Sequence, residues 1–434
     1  MSLSKTPRAN RVHIGIFGRR NAGKSSLINA ITGQDTALVS DTPGTTTDPV
    51  YKSMELPGAG PVVFIDTPGI DDVGGLGQAR AERALKILGS TDVAVLVIDP
   101  FEGFGEPEET LIKEVISRSM PVVTAVTKQD TWAGRSPLDG VRSQVKAAFS
   151  QSGSGGSAHP AKAGGKGSAG SAKAESPPVV LGVSAVTGQG IRELTACLCR
   201  IIKHTFGDAE PAIVGDLLSP GDTAFLVVPL DLQAPKGRLI LPQVQVIRDL
   251  LDHECTAVMV KTGNLPDALA NSKRPPALVI TDSQVFEEVN EILPASIPLT
   301  SFSILFARYK GDLAQLARGA RALADLKPHD KVLIAEACTH HPIADDIGTV
   351  KIPRWLQETV GGPLDFSWQR GTDYPADLSE YKVIIHCGGC MLNRRAMLTR
   401  IEAAESAGVP ITNYGMAIAY TKGILERALE PFGL

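Results

Sequence analysis

The sequence predicts an α/β protein: a first domain with a mostly parallel sheet, followed by two smaller α/β domains. Two observations carry this. Short apolar runs, each closed by a polar or glycine-rich loop, alternate with stretches whose apolar residues recur at helical spacing, the pattern of a parallel sheet wrapped by helices. The 434 residues are also too many for one ordinary core.

In the first domain, residues 1–210, the strand-like runs are HIGIFG, VVFID, VAVLVID, VVTAVTK and VVLGVSA, while SSLINAITG and IRELTACLCRIIKHT carry helical spacing. Residues 150–178 interrupt it with Gly, Ser, Ala and Lys. They offer too little apolar surface to offset their ordering entropy and are expected to form a disordered insertion. Residues 211–305 supply FLVVPL, the helical QVQVIRDLLDH, TAVMVK and ALVITD. Residues 306–434 supply KVLIAEACTHH, YKVIIHCGGC, the helix-like RRAMLTRIEAAESAG and VPITNYG.

Composition removes several function classes. With 43% hydrophobic and 21% charged residues, and no apolar run of about 18, no membrane span is expected. A formal charge of −4 argues against nucleic acid as a partner. The opening MSLSKTPRANR is basic but lacks an apolar signal core, which points to the cytoplasm. Six cysteines are too sparse for a disulfide framework, so burial or metal binding is the better use for them. Cys197 and Cys199 on a helix, and Cys255 at a strand start, are expected in the core.

GRRNAGKS, Gly18 to Ser25, fits G-x-x-x-x-G-K-[ST] after a strand and before a helix. Asn21, Ala22, Gly23, Lys24, Ser25 and Ser26 form the expected phosphate-binding set. Lys24 would neutralise the β/γ-phosphates and the Ser25 hydroxyl would ligate Mg²⁺. DTPG, Asp66 to Gly69, ends a strand: the aspartate can hold the Mg²⁺ shell and Gly69 can approach the γ-phosphate. In TKQD, Thr127, Lys128 and Asp130 end another, and the Asp130 carboxylate can accept two hydrogen bonds from guanine that adenine cannot offer. Ser184 and Ala185 would put a backbone N–H at the guanine O6. The threonines of GTTTD, Gly44 to Asp48, can close over the metal. Each tetrapeptide is weak alone. In order, each at a strand end, they predict a P-loop GTPase domain that binds GTP and GDP.

This portion, roughly residues 11–205, resembles the GTPases of the TrmE–Era–EngA group. The resemblance implies that Thr46 is the switch metal ligand, so that Lys24, Thr46, Asp66 and Gly69 carry hydrolysis, and that Asn21 helps hold K⁺. Ile70 stands where other GTPases keep a water-orienting glutamine, which implies slow hydrolysis helped by K⁺ or a partner. Thr127 replaces the usual asparagine. The brace between base and phosphate loop that the asparagine amide provides is then expected to be lost.

Cys338, Cys387 and Cys390 stand at two strand ends in the last domain. Neighbouring strands could bring them together, and three thiolates suit Zn²⁺ or an iron–sulfur cluster. Redox chemistry and a zinc half-site are the other uses of a lone C-x-x-C. Arg394 and Arg395 could stabilise anionic thiolates. Cys338-Thr-His340, followed after 45 residues by His386-Cys387-Gly-Gly-Cys390, resembles the signature of HydF, the maturation GTPases of FeFe-hydrogenase. That resemblance covers nearly the whole chain. It implies a 4Fe–4S cluster on Cys338, Cys387 and Cys390 with an exchangeable fourth position. His340, His341, His386 and Glu336 are candidates for that position, or for outer hydrogen-bond partners. It also implies a homodimer formed by residues 211–305 and a cluster-binding domain at 306–434. Its role would be that of a carrier accepting a di-iron precursor from radical-SAM partners for apo-hydrogenase. The competing readings are a ribosome- or RNA-associated GTPase with a zinc-stabilised tail that uses His340, and a thiol-redox protein.

Overall fold

The computed structural model describes residues 6–33, 49–70, 75–132, 136–153, 179–207, 212–229, 239–337, 346–371, 374–375 and 377–434. The chain divides into two compact units, Met1–Glu210 and Pro211–Leu434.

Unit one is a six-stranded sheet made of β1 (Val12–Gly18), β2 (Val50–Leu56), β3 (Gly60–Asp66), β4 (Val93–Ile98), β5 (Val122–Val126) and β6 (Val179–Gly182). Its order is β2-β3-β1-β4-β5-β6. All pairings are parallel except the β2–β3 edge. Every residue of β4 is buried, as expected of a central strand covered on both faces. The helix Ile191–Phe206 buries Ile191, Leu194, Cys197, Leu198 and Ile202, one face at helical spacing. The chain leaves β1 toward β3 on one side and later crosses to β4 on the other. The loop after β1 therefore sits at the reversal point where open α/β sheets bind ligands.

Unit two contains two parallel four-stranded sheets. The first joins β7 (Thr223–Val227), β8 (Thr256–Val260), β9 (Leu278–Thr281) and β10 (Leu299–Ser301) in the order β10-β9-β7-β8. The second joins β11 (Lys331–Glu336), β12 (Asp365–Arg370), β13 (Val383–His386) and β14 (Ile411–Asn413) in the order β12-β11-β13-β14. One continuous core serves both: Phe225, Val279 and Leu299 of the first sheet cluster with Leu333, Ile384 and Ile411 of the second. The second sheet also reverses direction, between β11 and β13.

The described residues differ from expectation in three places. The helix Leu138–Gly153 runs through residues 150–153, the start of the stretch expected to be disordered, because its last turn continues the helix without an apolar requirement. Residues 154–178 lie outside the described residues. The edge strands β2 and β12 carry polar residues on half-exposed faces, and β10 has three residues, so none shows an apolar run. Cys199 is half-buried rather than core, with its thiol directed at the Pro57 carbonyl (3.5 Å), whereas Cys197 and Cys255 are buried. Burial pushes all three thiols above their ordinary range, so they are poor thiolates. Among the described residues no helix is long and apolar enough to cross a membrane.

Candidate functional sites: a phosphate loop and a cysteine turn

The phosphate loop follows β1 and delivers Gly23 at φ +93°, a left-handed conformation that glycine takes without strain, as the cap of the helix Lys24–Thr32. Asn21 is also left-handed (φ +59°) and exposed. Lys24 is buried, and its ammonium donates to the carbonyls of Gly18 (2.9 Å) and Arg19 (2.6 Å). The Ser25 hydroxyl donates to Asp66 at 2.5 Å, which joins the two expected Mg²⁺ residues. Burial pushes the Asp66 carboxyl up, opposed by the Ser25 hydrogen bond and by the charges of Lys24 and Lys52. The Ile70 amide donates to the Gly18 carbonyl (3.3 Å), so the end of DTPG closes onto the loop.

The base-side residues also converge. The Ser184 hydroxyl donates to Asp130 (2.5 Å) and accepts from the Val186 and Thr187 amides (3.2 and 3.1 Å), which ties the SA loop to the carboxylate. Lys128, at φ +57°, pairs with the buried Asp99 (2.5 Å). Thr127 corrects one expectation. Its hydroxyl donates to the Ala22 carbonyl at 2.8 Å, so the link to the phosphate loop is kept, although a hydroxyl is shorter than an amide. A contact the sequence did not announce holds the loop from outside: Arg19 makes a two-pronged ion pair with the buried Glu108 (2.8 and 2.9 Å). Thr46 lies outside the described residues.

The cysteine turn follows β13. β11 and β13 are paired neighbours, with Ala335 opposite His386, and the Cys387 amide donates to the Ala335 carbonyl (2.8 Å). In return the Ala337 amide donates to the Cys387 sulfur at 3.1 Å. Gly389 takes φ +60°, which turns the backbone between the two cysteines and leaves Cys390 exposed. Burial pushes the Cys387 thiol up, while amide hydrogen bonds from Ala337 and Gly389 act against it. Cys338, the next residue after Ala337, lies outside the described residues with His340 and His341. Among the described residues no group of three or more His, Cys, Asp or Glu is arranged to hold a metal.

Two candidates for a fourth position are otherwise engaged. His386 is fully buried; Arg400 donates to its Nε2 (2.7 Å), which leaves the proton on Nδ1, donated to the Cys387 carbonyl (2.7 Å). Burial, reinforced by the Arg400 charge, lowers its pKa to about 3, so the ring is neutral and both nitrogens are used. His386 thus holds the Cys387 backbone through its Nδ1 proton. Glu336 accepts from Arg370 (2.8 Å) and Tyr414 (3.0 Å). One of the arginines expected at the thiolates is engaged elsewhere. Arg394 donates to the Tyr309 carbonyl (2.6 Å) at the end of the helix Phe302–Lys310, and the charge of Arg400 acts on Cys387.

Comparison with known proteins gives three family matches along the chain. Residues 213–311 match the hydrogen maturase F dimerization domain, and residues 314–431 match the hydrogen maturase F tetramerization domain. The chain belongs to the hydrogen maturase F family. Residues 13–128 match a further family described as 50S ribosome-binding GTPase, so this family member carries a GTPase domain ahead of its two oligomerization domains. A 124-residue stretch is 39% identical to GTPase Der of Wolinella succinogenes, covering 28% of this chain and 26% of that protein. Over 142 residues it is 38% identical to the tRNA modification GTPase MnmE of a Synechococcus species, covering 32% and 29%. The chain thus spans less than a third of these relatives' own length. Among solved structures, Era from Aquifex aeolicus bound to GDP and AlF4⁻ is 17% identical over 58% of this chain and 93% of that one, with a TM-score of 0.36.

The family boundary isolates the residue that sequence reasoning missed. Lys310 lies one residue before the end of the stretch matched to hydrogen maturase F dimerization, yet its buried ammonium donates to the carbonyls of Gly389, Cys390 and Leu392 (3.3, 3.2 and 3.0 Å). Burial lowers its pKa to about 8, against the pull of Cys390 and Cys387. No local motif marks it, because its partners are about 80 residues away in the chain.

Proposed function

We propose that the chain is a GTP-binding and GTP-hydrolysing scaffold that holds a 4Fe–4S cluster on Cys338, Cys387 and Cys390 and delivers a di-iron precursor to apo FeFe-hydrogenase. The observation that supports this best is the hydrogen bond from the Ala337 amide to the Cys387 sulfur (3.1 Å). It brings the chain leading directly into Cys338 to the C-x-x-C turn, at the reversal point of a parallel sheet. The donor set fits: thiolates are soft ligands, Gly389 gives the turn its left-handed residue, and amides point at sulfur as they do around iron–sulfur clusters. When bound, such a cluster would supply one iron position not closed by cysteine.

The chain's own residues do the rest. Lys24 exchanges its two loop carbonyls for phosphate oxygens, and the Ser25–Asp66 pair supplies the oxygens around which Mg²⁺ binds. Asn21, exposed on the loop, would help hold K⁺, and hydrolysis is slow because Ile70 cannot orient water. His386 and Arg400 fix the backbone that carries Cys387. A homodimer forms through residues 213–311, and the partners are radical-SAM maturases and apo-hydrogenase. The alternative, a ribosome-associated GTPase with a zinc-stabilised tail, draws support from the description of the family matched at residues 13–128. Anaerobic purification separates the two. A brown protein with an EPR-active reduced cluster supports the carrier; a colourless protein holding one zinc per chain refutes it.

A further inference from the structure

Lys310 is 4% exposed, and among the described residues its hydrogen-bond partners are three backbone carbonyls of the Gly389–Leu392 segment. An ammonium has three donors, so these bonds use it up. They do not neutralise it. A cation removed from water is costly unless an anion is near, and the ionisable groups that act on Lys310 are Cys390 and Cys387. Those thiols become anions when they ligate a metal.

The helix that carries Lys310 is docked at both ends by the neighbouring segment. Asn413 donates to the Ser303 carbonyl (3.1 Å) near its start, and Arg394 caps its end at Tyr309 (2.6 Å). The ammonium is therefore delivered to the cysteine turn by a rigid element outside the 314–431 match.

We propose that Lys310 is the positioning residue and counter-charge of the cysteine turn: it clamps the carbonyls of Gly389, Cys390 and Leu392 so that Cys387 and Cys390 present their sulfurs together, and it offsets their charge once a thiophilic metal or cluster binds. The site is then completed by the stretch matched to dimerization, not by the stretch that holds the cysteines. This rests on the cluster-carrier function proposed above.

The test uses the full chain, reduced and metal-free under anaerobic conditions, titrated with Cd²⁺ alone and followed by thiolate-to-metal absorption. Lys310→Met should weaken Cd²⁺ binding by about 10- to 100-fold, the usual cost of losing an outer partner, while Lys310→Arg retains most of it. In iron-reconstituted protein, Lys310→Met should move the reduction midpoint to more negative potential, because a positive charge favours the reduced form. A role confined to packing would not give that shift. If Lys310→Met does not fold, Lys310→Gln against Lys310→Arg makes the same comparison. Unchanged Cd²⁺ affinity and midpoint in the uncharged variant, or an arginine variant as weak as the glutamine one, overturns the proposal. If Cys390→Ala loses iron and Lys310→Met does not, the lysine assignment fails and the carrier function stands. If the wild-type chain takes up no iron yet binds Cd²⁺ in a Lys310-dependent way, the reverse holds.

Discussion

The phosphate loop and the cysteine turn share one construction. Each follows a central parallel strand at the reversal point of its sheet, each turns on a left-handed glycine (Gly23, Gly389), and each has a buried lysine donating to backbone carbonyls. They differ in where the lysine comes from. Lys24 is six residues from the carbonyl of Gly18, inside its own loop, whereas Lys310 reaches its carbonyls from another sheet's segment, 79 to 82 residues away. The first site is thus a local device that one helix and one strand can present. The second depends on how two sheets pack on a shared core, so it is sensitive to whatever moves one against the other.

The comparison can be broken first at the lysine of the local site. Lys24→Ala should lower GTP turnover by at least about 10²- to 10³-fold, the scale of losing one preorganised electrostatic contact, and leave iron content unchanged. Loss of both in an assay of turnover and bound iron would show that the two units are not independent. The converse is Cys390→Ala, for which bound iron should fall at least about tenfold while GTP turnover holds. A variant with undiminished iron removes Cys390 from the ligand set.

Smaller effects sharpen the same contrast. Arg400→Met leaves the buried Nε2 of His386 without its donor and should cost about 1–3 kcal/mol in denaturant unfolding of the second unit, as unsatisfied buried groups do. No change would mean that the imidazole finds another partner. The mildest is Thr127→Asn. Restoring an amide should raise guanine-nucleotide affinity by roughly 1 kcal/mol, about fivefold, because the hydroxyl already links to Ala22 but cannot also reach the base.

How legible each site was follows from the same distinction. Lys24, Ser25, Asp66, Thr127, Asp130 and Ser184 were named from the sequence because their tetrapeptides sit at strand ends, and strand order alone brings strand ends to one edge. Cys387 and Cys390 were legible for the same reason. The surroundings of the turn were not. Arg394 looked like a counter-charge by proximity in sequence, yet it caps a helix, while Lys310 and Arg400 arrive through packing that no local pattern encodes. His386 read as a candidate ligand because imidazole beside cysteine suits metals. Only its burial and the donor on its second nitrogen show that it has no lone pair to give.

Every functional claim about the second unit meets at one place: the end of β11, where Ala337 touches the Cys387 sulfur and the next residue is Cys338. EPR and iron analysis of anaerobically reconstituted wild-type protein beside Cys338→Ala test that point directly. The wild-type chain should bind about four irons and give the signal of a reduced 4Fe–4S cluster, and Cys338→Ala should lose both. A Cys338→Ala protein with wild-type iron and an unchanged signal would contradict the account.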